Sequence, residues 1–222
     1  MIDKALQIVA PHHCYGCGSK QALLCDNCKY DITSNQFYGC IGCGRPAPDG
    51  ICTRCQSGFS RAWCIGERSG ELEALINGYK FERKKASSVV CVDLLQLVLP
   101  ELPRDICIVP VPTIRRHIRQ RGYDHTALVA KGLAKRRSLT YRQALRRITS
   151  SVQLGATRAQ RIEQAKQAFE CTTSLAEQTV LLVDDVTTTG ATLEYAATEL
   201  RKAGAKDVWA AVIARQPLEK HV

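Results

Sequence analysis

The sequence predicts an α/β protein with a doubly wound, mainly parallel sheet, preceded by a small cysteine-built module. Three observations carry that prediction. The apolar runs Ile106–Val111 and Val180–Val183 read as strands covered on both faces. Each is followed by residues at helical spacing, so strand, loop and helix recur. Eight of the 12 cysteines fall in four Cys-x-x-Cys pairs before residue 56.

In chain order, Met1–Ala10 carries Asp3 beside Lys4 and no small-residue cleavage site, so no signal peptide is expected and the chain should stay in the cytoplasm. No run reaches the roughly 18 apolar residues of a membrane span, and no membrane insertion is expected. Cys14, Cys17, Cys25 and Cys28 are followed by Cys40, Cys43, Cys52 and Cys55. In a reducing compartment such thiolate pairs read as metal knuckles, here two structural Zn²⁺ sites, each with four sulfurs and no open position. The simple pairing groups the first four and the last four; an interleaved pairing stays open. The domains expected are 1–62, the cysteine module, and 63–222, subdivided into an entry or hood region over 63–105, a ligand-binding core over 106–215 and a tail.

Trp63–Ser69 reads as a linker strand. Leu72, Leu75, Ile76 and Tyr79 set a helix over Glu71–Glu82, and a second runs Ala86–Val98, ending before Pro100. Lys80 and the pair Lys84-Lys85 could reach a ligand, but a solvated charge run is the favoured reading. After the Ile106–Pro112 strand, Thr113–His125 is too long and too basic for a plain connection, and its four arginines at a strand end suit a pyrophosphate. Thr126–Arg137 continues as a helix through Leu128, Val129 and Leu133. The strand Val180–Val183, a helix Ala191–Ala203 and a strand Val208–Ala214 complete the pattern.

Charge is uneven. The net charge is +10, but Arg115–Arg161 holds 13 Lys/Arg against the single acid Asp124, leaving 18 basic and 20 acidic residues elsewhere. Such an excess attracts phosphates, whether of a pyrophosphate or of a nucleic acid backbone.

The densest chemistry lies at Asp184-Asp185-Val186-Thr187-Thr188-Thr189-Gly190-Ala191-Thr192. A hydroxyl-rich turn with one glycine, opening a helix, aims backbone N–H groups at one point and suits a phosphate. Two adjacent carboxylates can accept from vicinal hydroxyls and help hold a divalent cation. Phosphate beside a diol points to a ribose 5-phosphate.

This run resembles the 5-phosphoribosyl-1-pyrophosphate (PRPP) motif of the type I phosphoribosyltransferases over thirteen positions, with Thr187 where that family more often has an apolar residue. The chain from Cys14 to about Arg215 is similar to the ComF (ComFC/GntX) competence-protein family, which joins an N-terminal zinc ribbon to a phosphoribosyltransferase-like domain. Val109–Pro112 matches its Val-Pro-Val-Pro strand. Arg119–His125 matches its Arg-x-Arg-Gly-Phe-Asn-Gln motif, with Tyr123, Asp124 and His125 replacing the last three. Ser150–Phe169 matches a further element through Gln153, Arg161, Ala168 and Phe169.

The resemblance implies a type I phosphoribosyltransferase-like fold. It implies that Asp184 and Asp185 hold the ribose and Mg²⁺, and that Thr187, Thr188, Thr189, Gly190, Ala191 and Thr192 cradle the 5-phosphate. Arg115, Arg119 and Arg121 would face the pyrophosphate, and Gln153, Arg158 and Arg161 would sit on a lid. It implies a role in the uptake or use of extracellular DNA. It leaves open whether PRPP is turned over or only bound, what the acceptor is, and whether single-stranded DNA or DNA-processing proteins are contacted directly.

Overall fold

A computed structural model describes residues 13–20, 22–55, 57–82, 84–148 and 168–217. The expected lid residues Gln153, Arg158 and Arg161 lie outside these.

Five strands form one all-parallel sheet: β1 (Arg61–Glu67), β2 (Cys107–Pro110), β3 (Thr140–Tyr141), β6 (Thr179–Thr187) and β7 (Asp207–Arg215), in the order β1-β7-β6-β2-β3. Along β6 the side chains alternate between two cores. Leu181 and Val183 join one cluster and Val180 and Leu182 the other, all fully buried. That double burial is why the strand is apolar at every position instead of every second one.

One face is covered by α2 (Gly70–Phe81), α3 (Ser87–Val98) and α5 (His125–Arg137). The other carries α6 (Ala191–Lys202) and a two-stranded antiparallel hairpin, β4 (Leu145–Arg147) with β5 (Phe169–Cys171). Trp63–Ser69, expected as a linker strand, is a strand that begins two residues earlier, at Arg61, and lies at the sheet edge: Trp63 pairs with Ala211 of β7. The arginine-rich connection is not a plain loop. It contains α4 (Arg115–Arg121), which buries no residue and so leaves no apolar period in the sequence, and it ends on Gly122 in the left-handed region at φ 82°.

Before the sheet come the two cysteine modules, the first including the short helix α1 (Asp26–Ser34). Cys14, Leu24 and Cys28 pack into the same cluster as Leu72, Leu75, Ile76 and Tyr79 of α2, while Ile41 and Phe59 join the opposite core. Each module therefore leans on a different face of the sheet. Among the described residues no helix is long and apolar enough to cross a membrane.

Candidate functional site

The acid pair sits on β6 itself and not in the turn, because the ladder with β7 continues to Thr187, which pairs with Arg215 and is buried. The turn proper is Thr188–Gly190. Gly190 adopts φ 79°, a left-handed conformation that favours glycine, and its carbonyl accepts from Glu194 N as α6 begins. Thr188, Thr189, Ala191 and Thr192 are exposed. Ala191 N donates to Thr189 Oγ1 at 3.4 Å, and the exposed Thr188, Thr189 and Thr192 open this helix start towards solvent beside the acids.

A cleft of about 220 Å³ lies at this strand end, with Lys80, Arg121, His125, Arg147, Asp184, Asp185 and Thr192 in its wall. The two carboxylates occupy opposite electrostatic situations. Buried Asp185 receives Lys80 Nζ at 2.6 Å and His125 Nε2 on the same oxygen, Oδ2. Arg121 Nη1 donates to His125 Nδ1 at 2.7 Å. A guanidinium can only donate, so Nδ1 accepts and the ring proton stands on Nε2, facing Asp185. Burial opposes ionisation of Asp185, but the His125 hydrogen bond and the Lys80 charge outweigh it and hold the carboxyl well below the usual range. Asp184 accepts from Asp185 N at 2.8 Å and, among the described residues, forms no ion pair. Burial first, and then the charge of Asp185, push it up to about 8. An opposing cation placed at Asp184 would restore its carboxylate.

Three side chains anchor this arrangement. Asp124 is the N-cap of α5, accepting from Ala127 N at 3.0 Å and Thr113 Oγ1 at 2.9 Å, so an acid serves where the family has Asn. Tyr123 stacks on Tyr79, ring centroids 5.5 Å apart, and its hydroxyl donates to Tyr79 O. Tyr79 in turn donates to His125 O at 2.7 Å, fixing the backbone that aims the imidazole.

Of the arginines expected against pyrophosphate, Arg121 reaches the cleft. Arg115 and Arg119 are exposed on α4 and do not line it, because a seven-residue helix turns them away where an extended loop could have brought them in. Three further residues line the cleft. Lys80, for which the sequence favours a solvated run over a ligand contact, pairs with Asp185 across more than a hundred residues of chain. His125 was legible only as the last position of the Arg119–His125 motif. Arg147 comes from the β4 hairpin, where its guanidinium carbon lies 4.9 Å from the Phe169 ring centroid.

The cysteines resolve the open pairing. Cys14, Cys17, Cys25 and Cys28 form one group and Cys40, Cys43, Cys52 and Cys55 another, with all sulfurs of a group within 4.8 Å of one another. Cys17 and Cys25 Sγ are 3.7 Å apart and Cys43 and Cys52 Sγ 3.5 Å. A tetrahedral ion with bonds of about 2.3 Å needs sulfurs roughly 3.8 Å apart, so both groups fit a metal. The thiols within the first group are held unequally. Against the effect of burial, the Cys25, Cys17 and Gly16 amides draw Cys14 down to about 6, while Cys25 and then burial push Cys28 up to about 12. Four sulfurs this close cannot all ionise without a cation between them.

A family model described as a phosphoribosyl transferase domain matches residues 128–221. Competence protein F of Haemophilus influenzae is 29% identical over 203 residues, covering 83% of this chain and 87% of that protein. DNA utilization protein YhgH of Salmonella typhi is 26% identical over 221 residues, covering 90% and 96%. Among solved structures, one described as the allosteric regulatory enzyme of purine biosynthesis superposes with a TM-score of 0.40 at 18% identity, over 59% of this chain and 25% of that one.

Proposed function

We propose that this chain is a ComF-family protein, a cysteine-ribbon module joined to a phosphoribosyltransferase domain, that it binds PRPP with a divalent cation, and that it acts in DNA utilisation. The observation that carries the ligand reading is the asymmetric acid pair beside an open helix N-terminus. Asp185 is paired with Lys80 and accepts from His125, whereas Asp184, which among the described residues forms no ion pair, lines the cleft together with Thr192. The amides of Thr188–Thr192 suit the 5-phosphate, and Asp184 suits the ribose hydroxyls and Mg²⁺. Arg121, Lys80 and Arg147 supply positive charge where pyrophosphate would lie. Zn²⁺ suits both cysteine groups, and four thiolates without an open position give it a structural role.

When bound, Mg²⁺ would neutralise phosphate charge and favour the ionised form of Asp184. The chain's own part is to fix the sugar phosphate, hold Asp185 ionised and present cations to the leaving side. The association with DNA utilisation comes from the relatives, one named a DNA utilization protein and the other a competence protein.

Calorimetric titration of PRPP into the zinc-loaded protein tests the reading. Binding is expected with Mg²⁺, at least tenfold weaker without it, and absent in Asp184→Asn/Asp185→Asn. A folded wild-type protein that takes up no PRPP in the presence of Mg²⁺ would remove it. Pyrophosphate release on addition of candidate acceptors then reports whether the bound sugar is transferred.

A further inference from the structure

The second cysteine module touches the anion loop directly. A Cβ placed on Gly42, inside the Cys40–Cys43 knuckle, would lie 3.2 Å from Thr189 O, and one placed on Gly190 would lie 3.6 Å from Gly42 Cα. Backbone therefore meets backbone, with no side chain between. Two further ties run from the same module to the elements that frame the loop. Gly58 N donates to both carboxylate oxygens of Glu194, at 2.8 and 2.7 Å, in the first turn of α6, and Arg201 Nε donates to Gly58 O at 2.5 Å. Gly44 lies against the buried guanidinium of Arg215, which a Cβ would meet at 2.8 Å, and Arg215 is the ladder partner of Thr187. The first module leans elsewhere. Tyr15 Oη occupies the place of a Cβ on Gly78, and a Cβ on Gly16 would stand 2.9 Å from Glu71 Cγ, both on α2.

We propose that the second cysteine module is a positioning element for the anion loop. With metal held by Cys40, Cys43, Cys52 and Cys55, the knuckle at Gly42 fixes Thr189 and Gly190 in the left-handed turn that opens α6. Metal retention in that group and anion binding at Thr188–Thr192 then reinforce each other, because coupling between two sites is reciprocal. The proposal depends on the PRPP reading only for the identity of the anion. The first module supports the helix that carries Lys80, so the two metal groups have separable effects.

The full-length, zinc-loaded chain provides the test. Gly42→Val leaves all eight thiolates in place, and Gly42 is not among the glycines at positive φ, so the new side chain probes the contact and not backbone strain. Native mass spectrometry counts the zinc, and amide hydrogen exchange reads residues 186–193 without any ligand. Gly42→Val is expected to keep two zinc ions and to exchange about tenfold faster across 188–192. Cys43→Ser is expected to do the same with one zinc, whereas Cys17→Ser should loosen α2 and leave the loop as in wild type.

Saturating PRPP should slow the release of one of the two zinc ions to a chelator about tenfold, within the usual range of coupling between sites. Wild-type exchange across 188–192 in both Gly42→Val and Cys43→Ser would overturn the proposal whether or not PRPP binds. Failure of PRPP to bind a wild-type chain whose loop still loosens in those variants would count against the ligand reading alone.

Discussion

Methionine in place of Lys80 is expected to destabilise the protein by about 3–5 kcal/mol, the usual cost of removing one partner from a buried ion pair. For a chain of this size that is a melting-temperature loss of roughly 6–20 °C. Lys80 and Asp185 side chains are only 16% and 10% exposed, and methionine keeps most of the apolar stem, so the effect reads the charge and not the packing. His125 still faces Asp185, which places the result at the lower end of that range.

The pH dependence has a definite sign. The Asp185 carboxyl is depressed in the folded state, so its pairing stabilises the fold above the unfolded carboxyl value of about 3.9 and is lost as pH falls through the lower, folded value. The gap between wild type and Lys80→Met should therefore be full at pH 7 and narrow from about pH 4 downward. Thermal melts at both pH values check it. Equal stability at pH 7 would mean that Lys80 does not neutralise Asp185.

Asp184→Asn should act in the opposite direction on stability while removing ligand. The Asp184 carboxyl is raised to about 8, so its protonated form is favoured by folding. Its contribution is fully present below about pH 4 and is lost as pH rises through 8. An uncharged amide of the same shape escapes that loss. In the absence of ligand, Asp184→Asn is expected to gain about 1–2 kcal/mol at pH 8, roughly 2–8 °C, and much less at pH 5. The same substitution should lower affinity for Mg²⁺ and PRPP at least a hundredfold. A variant that gains no stability at pH 8, or that still binds, would contradict the division of labour between the two acids.

The parts of the fold that bury a periodic apolar face were legible in the sequence. Leu72, Leu75, Ile76 and Tyr79 gave α2 its register, and the uninterrupted Val180–Val183 gave the central strand, because burial writes hydrophobicity at 3.6-residue spacing or at every position of a doubly covered strand. The cysteine spacings likewise announced two modules before any contact was known. What stayed hidden has a common cause. Helix α4 buries nothing, so its arginines look the same in helix and loop. The ladder that carries β6 through Thr187 depends on β7, not on the residues of the turn. Lys80 joins Asp185 only because α2 packs on the sheet, and no local pattern encodes a pairing of that separation. His125 was visible as a motif position but not as a donor, since that role comes from Arg121 fixing its tautomer. The contact of Gly42 with Thr189 is backbone on backbone, and glycine alone does not say what it approaches.

The most direct measurement is a crystal structure of the full chain with Mg²⁺ and PRPP. The expected result places the 5-phosphate on the amides of Thr188–Thr192, with the ribose hydroxyls and the cation at Asp184 and the pyrophosphate facing Arg121, Lys80 and Arg147. A sugar phosphate seated instead on the exposed face of Arg115 and Arg119, with Asp184 and Thr188–Thr192 empty, would contradict it.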